Sequence, residues 1–409
     1  MNQPTRRQVL RTGALLPAGA LLGAPWIHTG RAAAPTSAAG DGDERVLIVV
    51  QLTGGNDGLN TVLPVEQDAW YRARPTLSSV AAGRHELEDG WALHPAMNAM
   101  APLYAEGRLG IVQGVGYPVP DRSHFHSMAI WHTGRVTHLE TENVTRQDNG
   151  WLGTAAAEWT ERSGQSPAAV HVGPQAPPAS LIHENGPPVA LDTVANFQLP
   201  KRSSRAWQAR ERMLAVNEGP DALTFLRQGA RDARALSERV SAAAGSAIPE
   251  GFPASSFGRR LALTSRLIRG GLGARIYSLE VGGFDTHNDQ LPLHENLLRT
   301  VSNGLAALDA ELQASGWADR VVTLVFSEFG RRVHENLSRG TDHGAAGPVF
   351  LMGAPVRGGL LGQAPNLEQL ERGDLPYTTD FRSIYADLQS RWLGVRPIAG
   401  VAPLRVLEG

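Results

Sequence analysis

Residues 46–52 form an apolar, β-branched run in which Gln51 is the only polar position. A strand with one wet face would alternate. A run without alternation reads as a strand covered on both faces, as in parallel sheets. The run breaks into Gly54-Gly55-Asn56-Asp57-Gly58, whose glycines permit tight turns and close backbone approach. Similar short runs follow at 109–113, 169–172, 274–279, 320–326 and 348–352. Between them, helical spacing predicts helices over 94–106, from Ser123 to about 131, and over 151–161, 206–243, 255–268, 294–312 and 381–392. Strands alternating with helices imply an α/β fold: a mostly parallel sheet with helices on both faces. Residues 70–93 read as irregular surface structure. The proline-rich stretch from 174 to 200 opens a covering and helical insertion reaching to about 270. No fixed-period repeat or clean linker divides the chain, so 41–409 is expected to be one domain.

Composition narrows the chemistry. The chain has 409 residues, a formal net charge of -2, and no cysteine. Disulfides, thiolate metal sites and cysteine nucleophiles are thereby excluded, and the charge balance argues against a nucleic-acid partner. Lys201 is the only lysine, in a Pro/Ser/Arg-rich stretch, which argues against lysine catalysis and a Walker-type phosphate loop. Residues 1–40 read as an export signal: Arg6-Arg7 within a twin-arginine-like motif, an apolar region over 14–27, and Ala32-Ala33-Ala34 as a cleavage site. The apolar region is too short for a confident membrane span. The expectation is a periplasmic or secreted protein, with no integral span once the signal is removed.

Several predicted strands end in loops carrying acids and histidines: Asp57, Asp285, His287, Glu328, Asp342 and His343. Parallel strands bring their carboxyl ends to one rim, where open α/β sheets bind ligands. Mixed carboxylate and imidazole donors suit a divalent metal such as zinc, manganese or iron. Ser123 is a natural helix N-cap. Ser123 or His124 would also stand at a helix N-terminus, where amide groups favour an anion. Arg331 and Arg332 could hold an oxyanion through paired donors.

The blocks GGNDGLNT, DRSHFHSMAIWHTG, GGFDTH, SEFGRR and GTDHGAAGPVFLMG, in that order, resemble the bacterial DUF1501 family. That family is similar in fold to the alkaline phosphatase and sulfatase superfamily. The resemblance covers essentially the whole mature chain. It implies two metals straddling a nucleophile at a helix N-terminus. Asp57 would bind one metal, and Ser123 or His124 would hold the nucleophile position. Asp285 and His287 would bind the other metal, with His343 as its last ligand. The superfamily's usual Asp-His pair appears here as Glu328-Phe329. Phenylalanine cannot ligate a metal, so one or two ions are expected, with Asp342 as a substitute ligand. The Cys-x-Pro-Ser-Arg signature is missing, which disfavours classical sulfatase chemistry.

The implied activity is metal-dependent hydrolysis of phosphate or sulfate esters, on a small anionic ester or one carried by a polymer. The rival reading is a non-catalytic binding or assembly protein with a degraded metal site, for which the resemblance implies a DUF1800 partner. An SGNH hydrolase shares the letters of Gly54-Gly55-Asn56-Asp57, but its amino-terminal Gly-Asp-Ser block is absent and no G-x-S-x-G elbow occurs.

Overall fold

The computed structural model describes residues 44–136, 149–184, 188–197, 222–245 and 247–408, together with 205, 208 and 212. The expected export signal and the first part of the helix expected over 206–243 lie outside the described residues.

Nine strands make the main sheet: β1 (Val46–Thr53), β5 (Leu109–Gly116), β6 (Ala169–Val172), β7 (Val189–Leu191), β8 (Ile276–Gly282), β9 (Val321–Phe326), β10 (Gly347–Met352), β11 (Gly359–Leu361) and β12 (Thr379–Asp380). The short strands β2 (Val62–Leu63), β3 (His85–Glu86) and β4 (Ala92–Leu93) form a separate small sheet. The main order is β11-β5-β10-β9-β1-β8-β6-β7, with β12 paired to β5. β1 lies between β8 and β9 and runs parallel to both. β10 is antiparallel to β9 and β5, so the sheet is mixed but mostly parallel.

The central position of β1 explains its unbroken apolar run. Leu47 and Val49 enter the core on one face, while Val46, Ile48, Val50 and Leu52 enter the core on the other. Gln51 faces the first of these layers, where its side-chain oxygen meets His132 Nε2 at 2.8 Å. That partner removes much of the penalty of burying an amide.

Three helices cover the face of Leu47: α1 (His124–Thr133), α2 (Trp151–Ser163) and, later in the chain, α6 (Phe381–Asp387). Between them in sequence come α3 (Ala222–Ala243), α4 (Ser256–Arg269) and α5 (Gln290–Ala314). Phe257, Leu261 and Leu267 of α4 pack with Leu298, Val301 and Leu305 of α5 on the opposite face. Ser255 caps α4 by accepting from the Gly258 amide at 3.0 Å, satisfying one of the helix's free amides.

Two local expectations change. The helix expected over 94–106 is split into a turn at Pro95–Met97 and a helix at Ala101–Ala105. Pro102 lacks an amide hydrogen and restricts the residue before it, so it starts a helix rather than continuing one. Residues 70–93, expected to be irregular surface structure, carry β3 and β4 and bury Trp70, Leu77 and Leu93.

Because β1, β8 and β9 are adjacent and parallel, the loops leaving them meet at one rim. Their approach is close. Gly54 has φ 119°, and a Cβ added there would lie 2.4 Å from the Asp285 backbone nitrogen. Only glycine combines that conformation with that contact.

Candidate metal centre

The rim gathers three imidazoles around one carboxylate. Asp285 follows β8, His124 opens α1, and His287 and His343 come from the loops after β8 and before β10. Asp285 Oδ1 lies 3.0 Å from His287 Nε2, 3.1 Å from His343 Nε2 and 3.5 Å from His124 Nε2. The Nε2 atoms of His287 and His343 are themselves 3.0 Å apart.

Each ring is oriented from its far side. Nδ1 of His124 meets Glu328 Oε1 at 2.8 Å, Nδ1 of His343 meets the Arg122 carbonyl at 2.8 Å, and Nδ1 of His287 meets Asp342 Oδ1 at 3.3 Å. All three partners accept hydrogen bonds, so each neutral ring carries its hydrogen on Nδ1 and turns a lone pair inward. A second acceptor behind the ring is the usual way a metal-binding histidine is fixed.

Arg331 Nη2 donates to Asp285 Oδ1 at 2.6 Å and its Nη1 lies 3.4 Å from His287 Nε2, which leaves the inward lone pairs of His124 and His343 without a donor of their own among the described residues. His124 Nε2 is buried and has no hydrogen-bond partner among the described residues. Burial pulls the His343 imidazole below its usual range, against the pull of the Arg122 carbonyl and Asp285. The Glu328 hydrogen bond, with nearby carboxylate charge, raises His124. Burial pushes the Asp285 carboxyl up, but Arg331 and His343 outweigh it and bring it down to about 2.

The spacing fits an ion. Metal–donor bonds of about 2.0–2.1 Å place neighbouring ligands of a tetrahedral ion roughly 3.3 Å apart. His124, Asp285 and His343 offer donor atoms all within 4.8 Å of one another. The Asp285 side chain is 48% exposed, which leaves an open side to the centre. An open side is what separates catalytic from closed structural sites.

Phe329, which follows β9, is the wall of this site. Its ring lies 4.8 Å from the His124 ring and 4.9 Å from the His343 ring, centroid to centroid. Gly55 makes room for it: with φ 74°, a Cβ there would come within 2.3 Å of the Phe329 ring.

The remaining expected site residues take other places. Asp57 is fully buried, and Arg74 Nη1 donates to its two oxygens at 2.9 and 2.7 Å. Gln290 Nε2 adds a further bond at 2.5 Å. The Arg74 guanidinium thus supplies positive charge beside the carboxylate expected to bind a metal. Glu328 and Asp342 stand behind the rings, at Nδ1 of His124 and His287. Arg331 is 2% exposed and its donors are used internally. Nε reaches the Gly55 carbonyl at 2.7 Å, Nη1 the Thr341 carbonyl at 2.8 Å, and Nη2 the Gly54 carbonyl and Asp285. It staples the loops after β1, β8 and β9. Arg332 turns toward Asp374, at 3.7 Å. Ser123 precedes α1 with no side-chain capping bond. Arg74 and Gln290 were not foreseen. Arg74 sits in a stretch with no periodicity, so nothing in the pattern marked it.

A mixed, mostly parallel α/β sheet with an acid and imidazole cluster at its carboxyl rim defines the architecture. The chain belongs to the family described as "Protein of unknown function (DUF1501)", whose family model matches residues 44–394. No curated protein matches it. Solved structures of similar fold include a sulfatase from Pseudoalteromonas sp., at 11% identity and TM-score 0.41, covering 86% of this chain and 68% of that one. Another is the C-terminal periplasmic domain of EcEptC from Escherichia coli in complex with Zn, at 8% identity and TM-score 0.36, covering 76% and 73%. A third is a protein in the alkaline phosphatase superfamily from Vibrio parahaemolyticus, at 10% identity and TM-score 0.35, covering 82% and 66%. The chemistry of the site rests on this chain's own residues.

Proposed function

We propose that this protein is a metal-dependent hydrolase of phosphate or sulfate esters, built on a single divalent ion. The observation that carries the reading is the convergence of three Nδ1-anchored imidazoles on Asp285 Oδ1. His124, Asp285 and His343 would hold the ion, with His287 as the fourth donor. Three imidazoles and one carboxylate suit zinc, iron or manganese. When bound, the ion would polarise the ester oxygen and offset charge on the transferring group. The amino end of α1 lies beside it and favours an anion there. We assign the Ser123 hydroxyl as the nucleophile candidate, since it makes no capping bond and adjoins His124 in the chain. Export by the twin-arginine pathway fits the amino-terminal residues and would deliver the protein to the periplasm or beyond.

The test is a screen of metal-loaded protein against phospho- and sulfo-monoesters. Turnover lost in Ser123→Ala, with metal retained, supports the assignment. Inactivity across the screen with metal bound would turn the reading to a non-catalytic metal protein.

A further inference from the structure

A second feature lies at the other end of the sheet. Arg357, Arg391 and Arg405 line one cavity of about 860 Å³, with Glu408 as its acidic neighbour. Its location follows from the strands. Trp392, next to Arg391, donates from Nε1 to the carbonyl of Val46, the first residue of β1, at 3.0 Å. The metal centre sits past the last residue of β1. The two sites are therefore at opposite rims, and the proposal is independent of the hydrolase reading.

Three arginines against one glutamate give the cavity an excess of positive charge. Arg391 is committed: Nη1 donates to the Leu407 carbonyl at 3.1 Å and pairs with Asp387 Oδ1 at 3.4 Å, and Nη2 donates to the Glu408 carbonyl at 2.9 Å. Arg357 and Arg405 are exposed, and their side chains make no hydrogen bond or ion pair among the described residues. With Asp387 paired to Arg391 and Glu408 the one carboxylate in the lining among the described residues, the three guanidinium groups keep an excess of positive charge, which an anion would relieve.

The segment carrying Arg405 is held rather than loose. The fully buried carboxylate of Asp387 accepts from the amides of Val406 at 2.7 Å and Leu407 at 3.3 Å. The Arg357 amide donates to the Val406 carbonyl at 2.9 Å, and the Glu408 amide to the Pro355 carbonyl at 2.9 Å. Arg405 itself has φ 62°, a left-handed conformation unfavourable for a residue with a side chain. The anchored backbone on its carboxyl side maintains that conformation and presents the side chain at the cavity.

We propose that this cavity binds a small multivalent anion, one with at least two phosphate, sulfate or carboxylate groups. Its volume falls within the range of small-molecule sites, and arginine matches such groups with paired donors.

The experiment is titration calorimetry of the full chain with inorganic pyrophosphate and, separately, with citrate, at low and physiological salt. Binding by either probe, weakening as salt rises, is expected. The Arg357→Ala/Arg405→Ala variant should lose about tenfold or more in affinity while keeping its melting temperature, since both side chains are exposed. Arg357→Gln alone should lose affinity in the same direction. Binding should persist in Asp285→Ala/His343→Ala, which separates this cavity from the metal centre. No binding of either probe at millimolar concentration, or affinity unchanged in the double arginine variant, would overturn the proposal. Response to pyrophosphate alone would identify the ligand class as phosphate, and response to citrate alone as carboxylate.

Discussion

Asp57 shows how one residue's environment decides its role. Its place after β1 suggested a metal ligand, but Arg74 already supplies a cation inside a fully buried pair. Removing one partner of such a pair leaves an uncompensated charge and typically costs 3–5 kcal/mol. Arg74→Ala should therefore destabilise the protein by roughly that amount in urea unfolding, whether or not metal is present. Burial alone would push the Asp57 carboxyl up, but Arg74, with His294 and Gln290, brings it below its ordinary value. A depressed carboxyl contributes stability above its unfolded pKa, near 3.9, and loses it as pH falls through the folded value. Unfolding free energy should decline below about pH 4, and Asp57→Asn should flatten that decline. Glu328 differs in kind. It backs His124 Nδ1 on the side away from Asp285, so, on the proposed metal reading, Glu328→Gln should keep the fold and weaken metal affinity by about 10–100-fold. An unchanged affinity by competition with a chelator would refute its positioning role.

At the level of elements, the main strands were legible because burial on both faces writes itself as an unbroken apolar run. β1, β6, β9 and β10 fall within a residue or two of their expected bounds. The convergence of Asp285 and His287 at the rim followed from the parallel strands, whereas His343 joins them on the loop that enters the antiparallel β10. Legibility ended where tertiary contact decides. Pro102 split a periodic stretch, and Arg74 acts on Asp57 from a segment with no pattern. Phe329 looked like a lost ligand, yet its ring packs against both His124 and His343. That contact depends on the loop after β1. Gly55→Ala would add a methyl group inside the Phe329 ring's space at φ 74°. Overpacking of this kind costs about 1–3 kcal/mol. The variant should melt lower and bind metal more weakly, because the displaced ring carries the two imidazoles with it. A variant with native melting and native affinity would show that Phe329 does not brace them.

For the whole molecule, the rim of β1, β8 and β9 concentrates the lone pairs, while Arg331 ties their loops into one unit. Among the described residues, no helix is long and apolar enough to cross a membrane. Folding brings the donors together, so a metal should stabilise the native state. At a concentration about 100 times its Kd, the gain would be about 2.7 kcal/mol, visible as a rise in melting temperature. The most direct measurement is the metal content of the purified full chain. The account predicts one transition-metal ion per chain, lost in Asp285→Ala/His343→Ala and retained in Asp57→Asn. Protein that takes up no metal under loading, or a double variant that keeps it, would contradict the centre described here.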